Sequence, residues 1–94
     1  MADLASVRVL VRGHVQQVFF RAFVATHTAE LCITGFTRNL PSGDTVEVVA
    51  EGEREKLEKL IGHLRIGPPN ARVDRVETNW GKYSGGYSAF VIRR

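Results

Sequence analysis

One cysteine, one methionine and three prolines occur in this chain of 94 residues, and each scarcity removes a class of explanation. A lone Cys32 cannot close an internal disulfide and cannot supply a thiol cluster for a structural metal. It falls at the apolar end of a helical pattern, so the expectation is a packed, inert thiol rather than a nucleophile. No apolar run approaches the roughly 18 residues that a membrane-spanning helix requires. The opening "MADLASVRVL" carries Asp3 and lacks a basic segment leading into an apolar block, so it does not read as a secretory signal. His14, His27 and His63 lack metal-ligand spacing. These absences set expectations of a cytoplasmic protein with no membrane partner and no histidine metal site.

What is present is ordinary for a globular protein: 44% hydrophobic and 24% charged residues, enough chain for one domain over residues 1–94. A formal charge of +3 favours anionic partners without choosing among them. Val7, Val9 and Val11 alternate with Arg8, Leu10 and Arg12, the period of a half-buried strand ending at Gly13. Phe20, Phe23, Val24 and Leu31, with His27 on the same stripe, mark a helix beginning close to Arg21. Extended character returns from Phe36 to Leu40, "PSGD" is a turn, and Val46, Val48 and Ala50 continue as the second arm of a hairpin. Leu57, Leu60, Ile61 and Leu64 predict a second helix, with Glu55 and Lys59 spaced to pair and "GPP" stopping it. Val73 and Val76 indicate a fourth strand, "YSGG" a turn, and residues 89–92 a last short strand. The order β-α-β-β-α-β with one strand appended predicts an α+β, ferredoxin-like sandwich: an antiparallel sheet with two helices on one face.

Two residues stand out chemically. In "RGHVQQVFFRAF" the chain passes from strand to helix, and Arg21 sits where the helix dipole disfavours a cation. Either Arg21 is a solvated first-turn residue, or an anion lies between it and the helix N-terminus, clamped by the guanidinium fork and by backbone N–H groups of the preceding loop. Asn39, in "GFTRNLPSGDTVE", is a residue type depleted in strands. It either begins a turn ahead of Pro41 or presents a neutral amide able to orient a water.

The segments "GHVQQVFFR" (residues 13–21) and "GFTRNLPSGDTVE" (residues 35–47) resemble the two signature segments of the acylphosphatases, small enzymes that hydrolyse the carboxyl–phosphate bond of acyl phosphates. The resemblance extends over nearly the whole chain. It implies that Val15, Gln16, Gln17, Val18, Phe19 and Phe20 form a phosphate cradle, that Arg21 clamps the phosphate and that Asn39 orients the attacking water. It further implies metal-free hydrolysis with no cofactor, a small-molecule acyl phosphate as substrate, and inorganic phosphate as product and competitive inhibitor. Gln17 departs from the family pattern, which has glycine there. If the loop needs a left-handed residue at that point, a side chain costs on the order of 1 kcal/mol. Gln17 then either points outward from an intact cradle or weakens phosphate binding, which would leave a binding relative of reduced activity.

An RNA-binding module of the same strand order is the main competing class. Its stacking aromatics belong on the third strand, yet "DTVEVVAEG" has none and carries Asp44, Glu47 and Glu51 before Gly52, so no nucleic-acid partner is expected. A third reading, an acylphosphatase-like domain of a larger carbamoyl-transfer maturation protein, is disfavoured by the lack of zinc-finger cysteines and of further sequence after Arg94. The expected state is a free-standing monomer.

Overall fold

The computed structural model describes residues 3–94. In chain order it comprises β1 (Leu4–His14), α1 (Phe20–Glu30), β2 (Thr34–Asn39), β3 (Thr45–Glu53), α2 (Arg54–Ile66), β4 (Arg72–Lys82) and β5 (Phe90–Arg93). The strands form one sheet in the order β4-β1-β3-β2-β5. Alternation along β1 explains its centre. Val7, Val9 and Val11 lie opposite Ala50, Val48 and Val46 of β3, and all six are buried against the helices. Phe20 and Val24 of α1, with Leu57, Leu60 and Leu64 of α2, close this core from above. The branched side chains suit the pleated surface, and the leucines recur at three- and four-residue intervals along one face of α2.

The predicted ferredoxin-like arrangement is found, with a refinement at its edge. β1, β2, β3 and β4 pair antiparallel, whereas β5 runs parallel to β2, so the sheet is mixed. The chain leaves β4 at one edge and enters β5 at the other, which delivers β5 in the direction of β2. Two local expectations are corrected. Cys32 is exposed, in a left-handed conformation with φ 56°, because α1 has already ended and the chain is reversing toward β2. Among the described residues Glu55 and Lys59 form no ion pair, and both side chains are exposed to solvent. None of the helices among the described residues is long and apolar enough to cross a membrane.

Gly13 ends the regular pairing of β1. Its φ is 137°, a bulge separates it from Arg12, and a Cβ there would lie 2.1 Å from the Arg72 carbonyl oxygen. Only glycine permits this approach, and the bulge turns the chain out of the sheet toward α1.

The other sheet face carries charge. Glu47 is 3% exposed and accepts hydrogen bonds from Arg8 Nε at 2.6 Å and Arg38 Nε at 2.5 Å. Burial alone would raise its pKa, but the hydrogen bonds and charges of Arg38 and Arg8 outweigh burial and hold the carboxyl below its ordinary value. A depressed folded-state pKa stabilises the protein above the unfolded-state value, about 4.3, and that contribution is lost as pH falls through the folded-state value. Urea unfolding midpoints are therefore expected to fall as pH drops below about 4.3, and less steeply in Glu47→Gln. At neutral pH that variant should lose about 1–3 kcal/mol; equal acid sensitivity in both proteins would remove Glu47 from the explanation.

Candidate active site

The loop between β1 and α1 is built around unpaired donors. Gln17 (φ 62°) and Phe19 (φ 60°, ψ 28°) are both left-handed, and residues of that conformation turn neighbouring N–H groups toward one side. Among the described residues, the amides of residues 16–21 donate to no backbone carbonyl. Phe19 caps α1 without a side-chain hydrogen bond, and the first turn holds no acidic residue. A helix N-terminus left in this state, with a cation beside it, has donors and dipole available for an anion.

Because the loop uses few of its own hydrogen bonds, other groups must hold its shape. The Gln16 amide Nε2 donates to the carbonyls of Leu40 at 2.8 Å and Thr45 at 2.9 Å, while Gly13 N–H donates to Asp44 O at 2.9 Å. These bonds fasten the loop to the β2–β3 hairpin, which carries Asn39. Val15, Val18 and Phe20 are buried and pull the loop onto the core between its exposed residues.

The result is a cleft of about 350 Å³ lined by Val15, Gln17, Phe19, Phe20, Arg21, Ala22, Asn39 and Ile92. It unites most of the residues singled out in the sequence. Gln16 and Val18 do not line it: the first side chain turns to the hairpin and the second to the core. Arg21 Nη1 donates to the Arg93 carbonyl at 2.8 Å, which fixes the guanidinium from β5. Asn39 lies at the end of β2, and its buried Oδ1 has no hydrogen-bond partner among the described residues. A buried acceptor without a donor costs about 1–3 kcal/mol, a deficit that a bound water or ligand would relieve. Phe19 is 82% exposed and Ile92 45%, which gives the mouth of the cleft an apolar side.

The histidines lie elsewhere. His14 lines a separate concavity with Arg12, Asp44, Arg72 and Asp74. His27 stacks on His63 between α1 and α2, with ring centroids 3.8 Å apart. Burial and then the neighbouring His63 lower the pKa of His27, with Glu30 opposing them. Three contributors to the cleft escaped the sequence: Ala22, Ile92 and the Arg93 carbonyl. The alternation of Phe90 and Ile92 hints that both face the helices, but nothing local to "FVIRR" places that strand beside β2.

The left-handed backbone at Gln17 leads to a stability test. Gln17→Gly is expected to stabilise the protein by about 0.5–1 kcal/mol, since relief of the left-handed strain exceeds the entropy that glycine adds to the unfolded chain. An unchanged or lower urea midpoint would mean that Gln17 is unstrained there.

A cleft with converging backbone donors, a fixed guanidinium and a buried neutral amide is equipped to hold a tetrahedral anion beside a water. The comparisons with known proteins agree with that chemistry. The acylphosphatase family model matches residues 7–92. An acylphosphatase of Anaeromyxobacter sp. is 44% identical over 99% of both chains. The structure of an acylphosphatase from Coxiella burnetii is 40% identical, with TM-score 0.90 over 97% of this chain and 94% of that one. The crystal structure of an acylphosphatase from Bacillus subtilis is 28% identical, with TM-score 0.91 over 98% of this chain and 100% of that one. By sequence and by fold, this chain belongs to the acylphosphatase family.

Proposed function

We propose that the chain hydrolyses acyl phosphates to a carboxylate and inorganic phosphate without a metal, by positioning and electrostatics. The backbone N–H groups of residues 15–20 and the Arg21 guanidinium hold the three non-bridging phosphoryl oxygens and the charge they carry. Asn39 accepts a hydrogen bond from water at Oδ1 and aims its oxygen at phosphorus, in line with the departing acyl oxygen. The P–O bond to the acyl group breaks as the water oxygen bonds to phosphorus. The carboxylate leaves with the bonding pair and needs no acid to protonate it. A phosphoryl oxygen of the substrate takes the water's proton, consistent with the lack of a carboxylate or imidazole among the residues that line the cleft. The observation that carries this reading is the unpartnered Oδ1 of Asn39 in the same cleft as the unpaired loop amides.

The acyl group is proposed to rest on Phe19, Ala22 and Ile92. Inorganic phosphate, as product, occupies the same cradle and competes with substrate. The proposed setting is the cytoplasm, since acyl phosphates are charged and do not cross membranes unaided, and the proposed state is a monomer. A nucleic-acid-binding role has less support, because the middle strand β3 presents no aromatic side chain on the face away from the helices and Arg8, Arg12 and Arg38 on the neighbouring strands are already paired with carboxylates.

With benzoyl phosphate as substrate and chelator present, Asn39→Ala should lower kcat by about 10²–10³-fold with little change in KM. Arg21→Ala should raise KM and weaken inhibition by phosphate by about tenfold or more. Hydrolysis no faster than in buffer would remove the enzymatic reading, and a normal rate in Asn39→Ala would remove that residue from the mechanism.

A further inference from the structure

Glu51 is a buried carboxylate outside the cleft, and its surroundings explain a connection that the mechanism leaves unused. It lies on β3 with its side chain on the face away from the helices, like Glu47, whereas Val48 and Ala50 face the core. That face has no helical cover, yet Glu51 is only 2% exposed. What covers it is the β4–β5 connection. One carboxylate oxygen accepts from Ser84 N–H at 3.0 Å and Ser84 Oγ–H at 2.8 Å, and the other from Gly85 N–H at 3.0 Å.

The topology shows why such a pin is needed. β4 and β5 occupy opposite edges of the sheet, so residues 83–89 must cross β1, β3 and β2. Four interstrand spacings amount to about 19 Å, and a segment of this length reaches only about 25 Å fully extended. The connection is therefore a taut strap, and Glu51 grips it over the middle strand. Beyond the grip, Tyr87 packs on Phe36 with ring centroids 6.1 Å apart, and the Ala89 carbonyl accepts from Gly35 N–H at 3.0 Å. β5 then pairs for four residues with β2 as a short edge strand, with Phe90 packed on the core. Its Arg93 is held on both sides, the guanidinium 3.8 Å over the Phe36 ring and the carbonyl accepting from Arg21.

We propose that Glu51 is a positioning residue for the phosphate clamp: by gripping the strap it sets β5, and β5 sets Arg21 through the Arg93 carbonyl. The proposal rests on the reading of Arg21 as the group that binds phosphate. Glu51 does not line the cleft, and it reaches the phosphate only through Arg21; β5 also carries Ile92 of the acyl wall, so inorganic phosphate affinity is the readout specific to the clamp, while KM for benzoyl phosphate reports both. Asn39 belongs to β2 and the loop amides to the β1–α1 segment, so both keep their places when the strap is released.

The test measures inorganic phosphate affinity, KM and kcat for benzoyl phosphate in the full chain. Glu51→Gln keeps the shape of the carboxylate but replaces one acceptor by a donor facing a donor. It is expected to raise KM and weaken phosphate binding by about five- to tenfold, with kcat changed less than about twofold. Ser84→Ala, which removes one of the donors and is the milder change, should shift both in the same direction by about twofold. In an Arg21→Ala background, Glu51→Gln should change phosphate affinity by less than about twofold, because its route to the ligand is gone. Equal losses in both backgrounds would indicate a general structural role and overturn the proposal, as would normal KM and phosphate affinity in Glu51→Gln and Ser84→Ala beside a weakened Arg21→Ala. Normal phosphate binding in Arg21→Ala itself would remove the clamp reading and the proposal with it.

Discussion

Backbone N–H groups that have no carbonyl to pair with govern the architecture around the cleft. Among the described residues, the amides of residues 16–21 donate to no backbone acceptor, so as donors they gain nothing from a ladder or a helical turn. Its left-handed kinks at Gln17 and Phe19 add conformational cost. The loop survives because neighbouring groups hold it: the Gln16 amide bonded to the hairpin, the buried Val15, Val18 and Phe20 between the exposed positions, and the bulge at Gly13 that launches it. Donors left unpaired by such a scaffold are preorganised for an anion, and no backbone bond must break when one arrives.

The same logic extends to the side chains. Asn39 ends β2 with an unpartnered Oδ1, while Arg21 is steadied by a carbonyl rather than by an acid. A carboxylate partner would neutralise the guanidinium and compete with phosphate, whereas a carbonyl orients it and leaves its charge available. Acids near the sheet are occupied elsewhere. Glu47 binds Arg8 and Arg38, and Glu51 binds the strap, both on the face opposite the helices. Positive charge is thereby retained at the cleft and balanced behind it.

Most of the fold was legible in the chain because period reports burial. Val7, Val9 and Val11 specify a one-sided strand, and Leu57, Leu60, Ile61 and Leu64 a one-sided helix, with little room for another reading. Arg21 and Asn39 were legible for a different reason: each contradicts its local context, a cation at a helix N-terminus and an amide in a strand. Cys32 was misjudged because an apolar stripe does not say at which residue a helix stops, and one more turn would have buried it. The second job of Gln16 was not legible: its side chain pairs with Leu40 O and Thr45 O, contacts that span distances along the chain that no local pattern encodes.

The amino-acid sequence by itself determined the elements, the core and the two residues whose chemistry is out of place, because these follow from side-chain periodicity and from local conformational preference. Tertiary structure decided the rest. The direction of β5, the strap over Glu51, the Arg93 carbonyl beside Arg21 and the apolar wall at Ile92 all depend on which strands become neighbours. Strand neighbours are chosen by the packing of the whole sheet against its helices, and that choice is made by contacts between residues far apart in the chain.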